Sequence, residues 1–222
     1  MPLRSGLAAP PTKDATQWRM TQAPAASGRF QYLDLHDAWR LADILLVNDP
    51  QTMEGLFQAN NLIAPFVQWR SDMARLPAEE LRRLAALWSS RRRAPLTPSI
   101  HSIDLDEVAR DGDYVMAIDV LADGEDFHYR LYGQRIAEVT GFNMTDKLLS
   151  SVPTQSALAA FFLASYRAVT LSKLPLLTIH QPPSYAIYWT RLILPLVDAS
   201  GAVTRILAGN VPHDRTPRYP AR

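Results

Sequence analysis

The spacing of apolar residues changes near Asp113, from the 3.6-residue period of helices to the two-residue period of strands. Downstream of this change, residues 114–121 predict one strand and FHYRLYG at 127–133 predicts a second. The intervening ADGED contains Gly124 and predicts a turn, so the two strands are expected to form a hairpin. A chain with this change of period has to build a sheet in its second half.

Helices and three further strands are expected after the hairpin. QRIAEVTG predicts a short helix ended by Gly141, and residues 154–173 predict a longer amphipathic helix. The further strands are expected to begin near residues 174, 184 and 202, and DASG at 198–201 is a hairpin signal between the last two. This order predicts an α+β domain whose antiparallel sheet carries helices on one face.

The domain organisation follows from changes in composition and spacing. Residues 1–29 are rich in Ala, Pro, Thr, Ser and Gln and are expected to form a mobile tail. Residues 30–76 have near-helical apolar spacing, which predicts an N-terminal helical extension of two or three short helices. The sequence leaves open whether this extension is a separate subdomain. Residues 77–213 are expected to form the main domain with its leading helix, and residues 214–222 a C-terminal tail.

The leading helix, within residues 77–93, is the clearest local prediction. Its apolar stripe consists of Leu81, Leu84, Ala85, Leu87 and Trp88. Acidic residues 79–80 and the arginines 91–93 complement the helix dipole at its two ends. The arginines could instead form a nucleic-acid patch, but a triplet without interleaved aromatics favours a solvated helix end. We expect this helix to cover the second face of the sheet.

Charge and cysteine content exclude several classes of function. The chain has 23 Lys and Arg against 22 Asp and Glu, so its formal charge of +1 supplies no global field for nucleic acid or an anionic membrane. It contains no cysteine, which excludes disulfide frameworks, thiolate zinc sites, thiol nucleophiles and chromophores or flavin adducts that need a cysteine. No segment approaches the roughly 18 apolar residues of a membrane span. We therefore expect a soluble, cytoplasmic protein without a nucleic-acid partner.

An ordered set of motifs runs from about residue 81 to residue 213. It comprises LRRLAALWSSRRR leading into PLTPSIHSIDLDEV, DFHYRLYGQRIAEVTG with its Arg130 and Gly133, a long helix ending in YRAV, and LILPLVDASGAV with its return strand. In this order the motifs resemble a PAS domain, and more narrowly the short bacterial stand-alone PAS proteins that carry no output domain on the same chain.

The resemblance implies a five-stranded antiparallel sheet, short helices that form a pocket over one face, and a dimerising helix at the N-terminal edge. PAS domains as a class are sensory and interaction modules, so the resemblance implies signal transduction through a small ligand, a protein partner or both. It also implies a homodimer, and it leaves the ligand and any cofactor unknown. A haem cofactor is disfavoured because residues 154–173 offer no helix histidine.

Candidate ligand-binding side chains come from the predicted strands and the long helix. Alternation places His128, Arg130 and Tyr132 on one strand face and Phe127, Tyr129 and Leu131 on the other. A later strand presents Tyr185, Ile187, Trp189 and Arg191 on one face. The predicted ligand-binding residues are Arg130, Tyr132, Tyr166, His180, Trp189 and Arg191. Arg130 could hold an anionic ligand bidentately, although an ion pair or a bond to a loop carbonyl is the favoured role.

The sequence offers no convincing reaction centre or metal site. It lacks GxSxG, a glycine-rich phosphate loop and HExxH, and its five histidines show no short ligand spacing. The acidic stretch at 104–113 could hold a divalent ion or a hydrolase pair, but Asp104 and Glu107 fit a helix cap and a first helical turn better.

The leading hypothesis is therefore a non-catalytic regulator that transmits its state through the helices of residues 30–93 to a signalling partner. A small enzyme such as an isomerase that uses an Asp or Tyr in the pocket is the first alternative. A buried carboxylate with a raised pKa facing an apolar cavity would distinguish it. A purely structural homodimer is the second alternative, and it requires a well-packed core and an apolar seam along Leu81, Leu84 and Trp88.

Overall fold

A computed structural model describes residues 33–93, 97–110, 112–182 and 187–214. The predictions made for residues 1–29, for Tyr185 and for residues 215–222 lie outside these ranges. The six described strands form one antiparallel sheet in the order β1-β4-β5-β6-β2-β3. They are β1 (Phe66–Trp69), β2 (Val115–Leu121), β3 (Asp126–Tyr132), β4 (Leu176–His180), β5 (Tyr188–Val197) and β6 (Val203–His213).

The sheet combines the predicted hairpin with the predicted three-stranded meander. β2 pairs with β3, β4 with β5 and β5 with β6, while β6 also pairs with β2 and so joins the two units. The α+β class and the antiparallel sheet are therefore confirmed, and the sheet has one strand more than the five expected. The DASG connection holds the last hairpin, because the carboxylate of Asp198 accepts backbone N–H bonds from Ser200 and Ala202.

The additional strand corrects the prediction of an all-helical extension at 30–76. The segment contains α1 (Ala38–Leu46) and α2 (Pro50–Ala59), but β1 then pairs with β4 at the edge of the sheet. Four residues are too few to show a period, so helical and extended conformations cannot be told apart locally. Pairing with β4 decides the conformation, and the indole N–H of Trp69 ties the strand to the α1 carbonyl of Leu45 at 2.9 Å.

Helices cover both faces of the sheet and create two apolar cores. The long helix α6 (Ser156–Ser172) lies over one face with the core that contains Met116, Ile193 and Ala208. The leading helix α3 (Glu79–Ser90) lies over the other face, as predicted, with the core that contains Leu192 and Leu207.

The apolar stripe of α3 is used in packing on the sheet. Leu81 and Trp88 are buried, and the indole of Trp88 donates a 2.8 Å bond to the carbonyl of Pro195 on β5. Gly209 permits this close approach, since a Cβ there would lie 2.5 Å from Cδ2 of Leu81. These side chains are therefore not free to form the apolar dimer seam that the structural-homodimer hypothesis requires. That prediction is wrong for Leu81 and Trp88.

The N-terminal helices share the core beneath α6. Leu41 of α1 and Phe57 of α2 are buried there, and the ring of Phe57 meets Phe161 of α6 edge-on at 5.8 Å. Residues 33–76 thus complete the main domain. None of the described helices is long and apolar enough to cross a membrane.

Two short helices flank the β2–β3 hairpin along the chain. α4 (Leu105–Arg110) begins after Asp104, whose carboxylate accepts the backbone N–H of Asp106 at 3.0 Å, so the capping interpretation of the acidic stretch is confirmed. α5 (Gln134–Thr140) ends at Gly141, which adopts the left-handed conformation with φ 79°.

Candidate functional site

A cavity of about 120 Å³ lies between the sheet, α6 and the segment around α5. Apolar and aromatic residues form most of its wall: Met116, Tyr129, Tyr132, Val139, Phe142, Val152, Pro153, Leu158, Phe162, Pro182, Ile187 and Trp189. Its other lining residues are Thr140, Thr154, His180, Arg191 and Asn210. An apolar cavity with a few convergent polar groups is the usual form of a small-molecule site.

Strand alternation brings four of the six predicted ligand-binding residues to this cavity. Trp189 and Arg191 project from the same face of β5, as predicted, and His180 projects from β4. Tyr132 reaches the cavity from the end of β3. Arg130 and Tyr166 are not among the lining residues.

A β-bulge explains why Tyr132 and Arg130 separate. Leu131 pairs with Ala117, whereas the next pair is Tyr129 with Ile118, so Arg130 is the extra residue. Past the bulge, Tyr132 shares the cavity face with Tyr129, and the two rings meet at 5.5 Å. The predicted grouping of Tyr132 with Arg130 is therefore wrong, because strict alternation does not survive a bulge.

Arg130 forms an ion pair on the opposite side of the sheet from the cavity. Its Nε lies 2.6 Å from Asp119, which also accepts a 2.6 Å bond from Nε of Arg205. Partial burial opposes ionisation of Asp119, but the bonds from the two arginines outweigh it and lower the pKa of this carboxyl. The ion-pair role is the one observed, although Arg130 remains about half exposed.

Arg191 is the central polar group of the cavity. Its residue is 5% exposed, and its Nε donates a 3.3 Å bond to Oδ1 of Asn210, its direct partner across β5 and β6. The guanidinium carbon lies 3.9 Å from the centre of the Phe162 ring. Within the described residues, no carboxylate lines the cavity beside Arg191, and its Nη1 has no hydrogen-bond partner.

His180 is the second polar group, and it is 5% exposed. Burial, reinforced by the nearby charge of Arg191, holds the pKa of His180 well below its ordinary value. Its ring meets Phe162 edge-on at 4.9 Å, and its Nδ1 has no hydrogen-bond partner among the described residues. Near neutral pH this side chain presents an uncharged imidazole to the cavity.

Tyr129 and Tyr132 line the cavity together with Arg191, and Tyr166 lies near its guanidinium. Tyr166 stands behind the cavity wall, with its ring centre 5.9 Å from the guanidinium carbon of Arg191 and 5.3 Å from the ring of Phe127. Burial raises the pKa of Tyr129 well above its ordinary value, and burial raises the pKa of Tyr132 to about 12. Both phenols stay protonated near neutral pH, so neither supplies a counter-charge to Arg191.

Asn210 is the most informative lining residue that sequence reasoning missed. Together with Ile206 and Ala208 it lies on the cavity face of β6, in the otherwise apolar run ILAGNV. A polar side chain at an inward-facing position of an apolar strand is unusual, and this pattern could have identified Asn210 from the sequence. By contrast, the two-residue alternation of side chains along β5 is sufficient to predict that Arg191 shares a face with Trp189.

The described cavity wall contains no Asp or Glu. The buried carboxylate that would distinguish the isomerase hypothesis is therefore not found among these residues, whereas two tyrosines, Tyr129 and Tyr132, do line the cavity. The described residues also hold no cluster of three or more potential metal ligands. The cavity therefore presents the guanidinium of Arg191, the amide of Asn210 and several aromatic side chains.

A larger groove of about 500 Å³ lies between α2 and β1, and its polar groups have local partners. Asp49 caps α2 through Thr52, and Glu54 accepts a 2.9 Å bond from Gln58. The groove offers no unpaired buried polar group comparable to Arg191 in the described residues.

Comparison with known proteins identifies no family. No protein-family model and no curated protein matches the chain. A solved structure described as an RNA-binding light-oxygen-voltage receptor aligns with a TM-score of 0.39 and 12% sequence identity. The alignment covers 78% of this chain and 48% of that chain, so the protein spans about half the length of the matched chain.

Proposed function

We propose that the protein is a sensory or regulatory PAS-type module that binds a small ligand in the cavity between the sheet and α6. The observation that carries this proposal is that the buried residue Arg191 lines an apolar cavity and that its Nη1 has no hydrogen-bond partner among the described residues. Such a group costs free energy in the folded state unless something satisfies it. A ligand in the cavity is the direct way to do so.

The helix α6 connects the cavity to the N-terminal helices. Leu158 and Phe162 of α6 line the cavity, and Arg167 follows about one and a half turns after Phe162. The guanidinium carbon of Arg167 lies 4.3 Å from the ring centre of Trp39 on α1. We propose that an adjustment of α6 around a ligand reaches α1 through this contact, and that a signalling protein or a second copy of the chain reads it.

A thermal-shift experiment tests the binding site. The small-molecule fraction of an extract from the source cells is added to the wild type and to Val152→Phe, which places a larger side chain on the cavity wall. Val47→Phe is the matched control, since Val47 is 74% exposed and does not line the cavity. The extract is expected to raise the Tm of the wild type and the control, but not that of Val152→Phe. An equal shift in all three proteins, or no shift in any, overturns the proposal.

Hydrogen exchange on the same samples tests the proposed relay. Ligand is expected to increase amide protection in α6 and also in α1, Ala38–Leu46. Increased protection of the cavity-lining residues without any increase in α1 would contradict transmission through α6. It would not contradict ligand binding in the cavity.

A further inference from the structure

The charge of Arg191 defines what the cavity can bind. It is the single formally charged side chain among the described residues that line the cavity, because burial keeps His180 neutral and the tyrosines protonated. Residues 183–186, between β4 and β5, have the sequence PSYA and contain no acid. The cavity therefore carries one positive charge with no compensating carboxylate on its described wall.

We propose that the ligand is a small monocarboxylate with an apolar body, whose carboxylate pairs with the guanidinium of Arg191. This inference rests on the proposed function and adds the chemical class of the ligand to it. The planar guanidinium matches a carboxylate geometrically, and Nη1 of Arg191 is buried without a hydrogen-bond partner among the described residues. The amide of Asn210 holds Nε and so fixes the orientation of the guanidinium.

The charge balance distinguishes a monocarboxylate from other anions. One carboxylate neutralises Arg191, whereas a phosphate dianion or a dicarboxylate would bring a second negative charge into a cavity whose described wall has no second cation. The free-energy cost of burying that uncompensated charge would exceed the stabilisation from the first ion pair.

The size and chemistry of the wall define the apolar body. The cavity volume is about 120 Å³, and a dry engineered cavity of about 150 Å³ accommodates benzene. Tyr129, Tyr132, Phe162 and Trp189 contribute aromatic surface on several sides. The apolar body is therefore at most one ring or a branched chain of comparable size, and benzoate probes this upper limit.

Isothermal titration calorimetry with benzoate and benzamide tests the assignment, because the two molecules have similar shape and differ in charge. The wild type is expected to bind benzoate at least about tenfold more tightly than benzamide, since the charge-assisted pair is lost with the amide. Arg191→Met is expected to lose this preference. Arg130→Met is the matched control, because Arg130 pairs with Asp119 away from the cavity, and it is expected to bind benzoate like the wild type.

Asn210→Asp provides a second test that keeps Arg191. The new carboxylate is expected to pair with the guanidinium within the protein, which raises the Tm and abolishes the preference for benzoate. The ligand-free Tm of Arg191→Met is also expected to equal or exceed that of the wild type, because a buried charge without a counter-charge is removed.

The outcomes separate this inference from the proposed function. Equal affinity for benzoate and benzamide overturns the monocarboxylate assignment and leaves a ligand-binding cavity. Absence of benzoate binding, or a benzoate preference that survives in Arg191→Met, also overturns the assignment. The proposed function itself is tested separately, by the extract experiment with Val152→Phe.

Discussion

His180 on β4 and Arg191 on β5 face the same cavity from neighbouring strands, and the positive charge of Arg191 adds to burial in lowering the pKa of His180. A buried cation is commonly paired with a carboxylate, but the described residues that line the cavity with Arg191 include no Asp or Glu. The cavity therefore contains one cation and one neutral imidazole. This arrangement affects stability as well as binding.

His180 is expected to make folding pH-dependent. Its folded pKa is lowered, so between that pKa and about 6.5 the unfolded chain binds a proton that the folded chain does not. Stability should fall as the pH drops below about 6.5, with a limiting slope near 1.4 kcal/mol per pH unit. Urea unfolding between pH 5 and pH 7.5 should show a smaller slope for His180→Gln.

The control for this experiment is His213→Gln. The pKa of His213 is also lowered by burial, but Glu80 and Asp214 partly oppose the effect, so the slope should change less than for His180→Gln. Identical slopes for the wild type and His180→Gln would contradict the description of His180 as a buried neutral side chain.

Asp119→Asn should remove the cross-strand network with Arg205 and Arg130. Because these groups are partly exposed, we expect a loss of only about 1 kcal/mol at pH 7. The folded pKa of Asp119 is lowered, so its contribution is present above about 3.8 and disappears as the pH falls through the folded pKa. Urea unfolding from pH 7 to pH 3 should show the two proteins converging; a constant difference would refute the ion-pair contribution.

Gly133→Ala should destabilise the entrance to α5, next to Tyr132. A Cβ at Gly133 would collide with the backbone carbonyl of Asp113, which cannot rotate away like a side chain. We expect a loss of about 1–3 kcal/mol in chemical denaturation. Gly55→Ala is the matched control, since α2 has open space at Gly55 and alanine should stabilise that helix by about 0.5–1 kcal/mol. Equal effects of the two exchanges would refute the close approach at Gly133.

Trp39→Leu tests the contact between α1 and α6. Trp39 does not line the cavity, so benzoate affinity should stay within about twofold of the wild type. The increase in α1 amide protection on binding should be lost, because the contact with Arg167 is removed. Unchanged α1 protection in the variant would show that the coupling takes another route.

A chain that starts at Pro77 should not fold cooperatively. It lacks α1, which packs on α6, and β1, which pairs with β4. Deletion would expose apolar surface of α6 and the backbone edge of β4. Circular dichroism and thermal unfolding of this fragment should therefore show no cooperative transition, whereas a sharp transition would support an independent domain from residue 77.

The sequence predicts those parts of the fold that depend on local patterns. The β2–β3 hairpin, the β5–β6 hairpin and α3 follow from alternation, turn residues and helical spacing. β1 was missed because its four residues acquire strand conformation from pairing with β4, far along the chain.

Local sequence patterns likewise predict only part of the candidate site. Alternation along β5 predicts Trp189 and Arg191 together, but no glycine or proline marks the bulge that turns Arg130 away from Tyr132. The partnership of Arg191 with Asn210 depends on the register between β5 and β6. A register shift between Leu196 and Val197 prevents this register from being counted back from the DASG turn.

Native mass spectrometry of protein purified gently from its source cells tests the central claim most directly. The wild type and Arg130→Met should carry a small molecule that is released on denaturation and detected as a carboxylate anion, whereas Arg191→Met should have the mass of the bare chain. A wild type without added mass, or a small molecule retained equally by Arg191→Met, would contradict a ligand site built around Arg191.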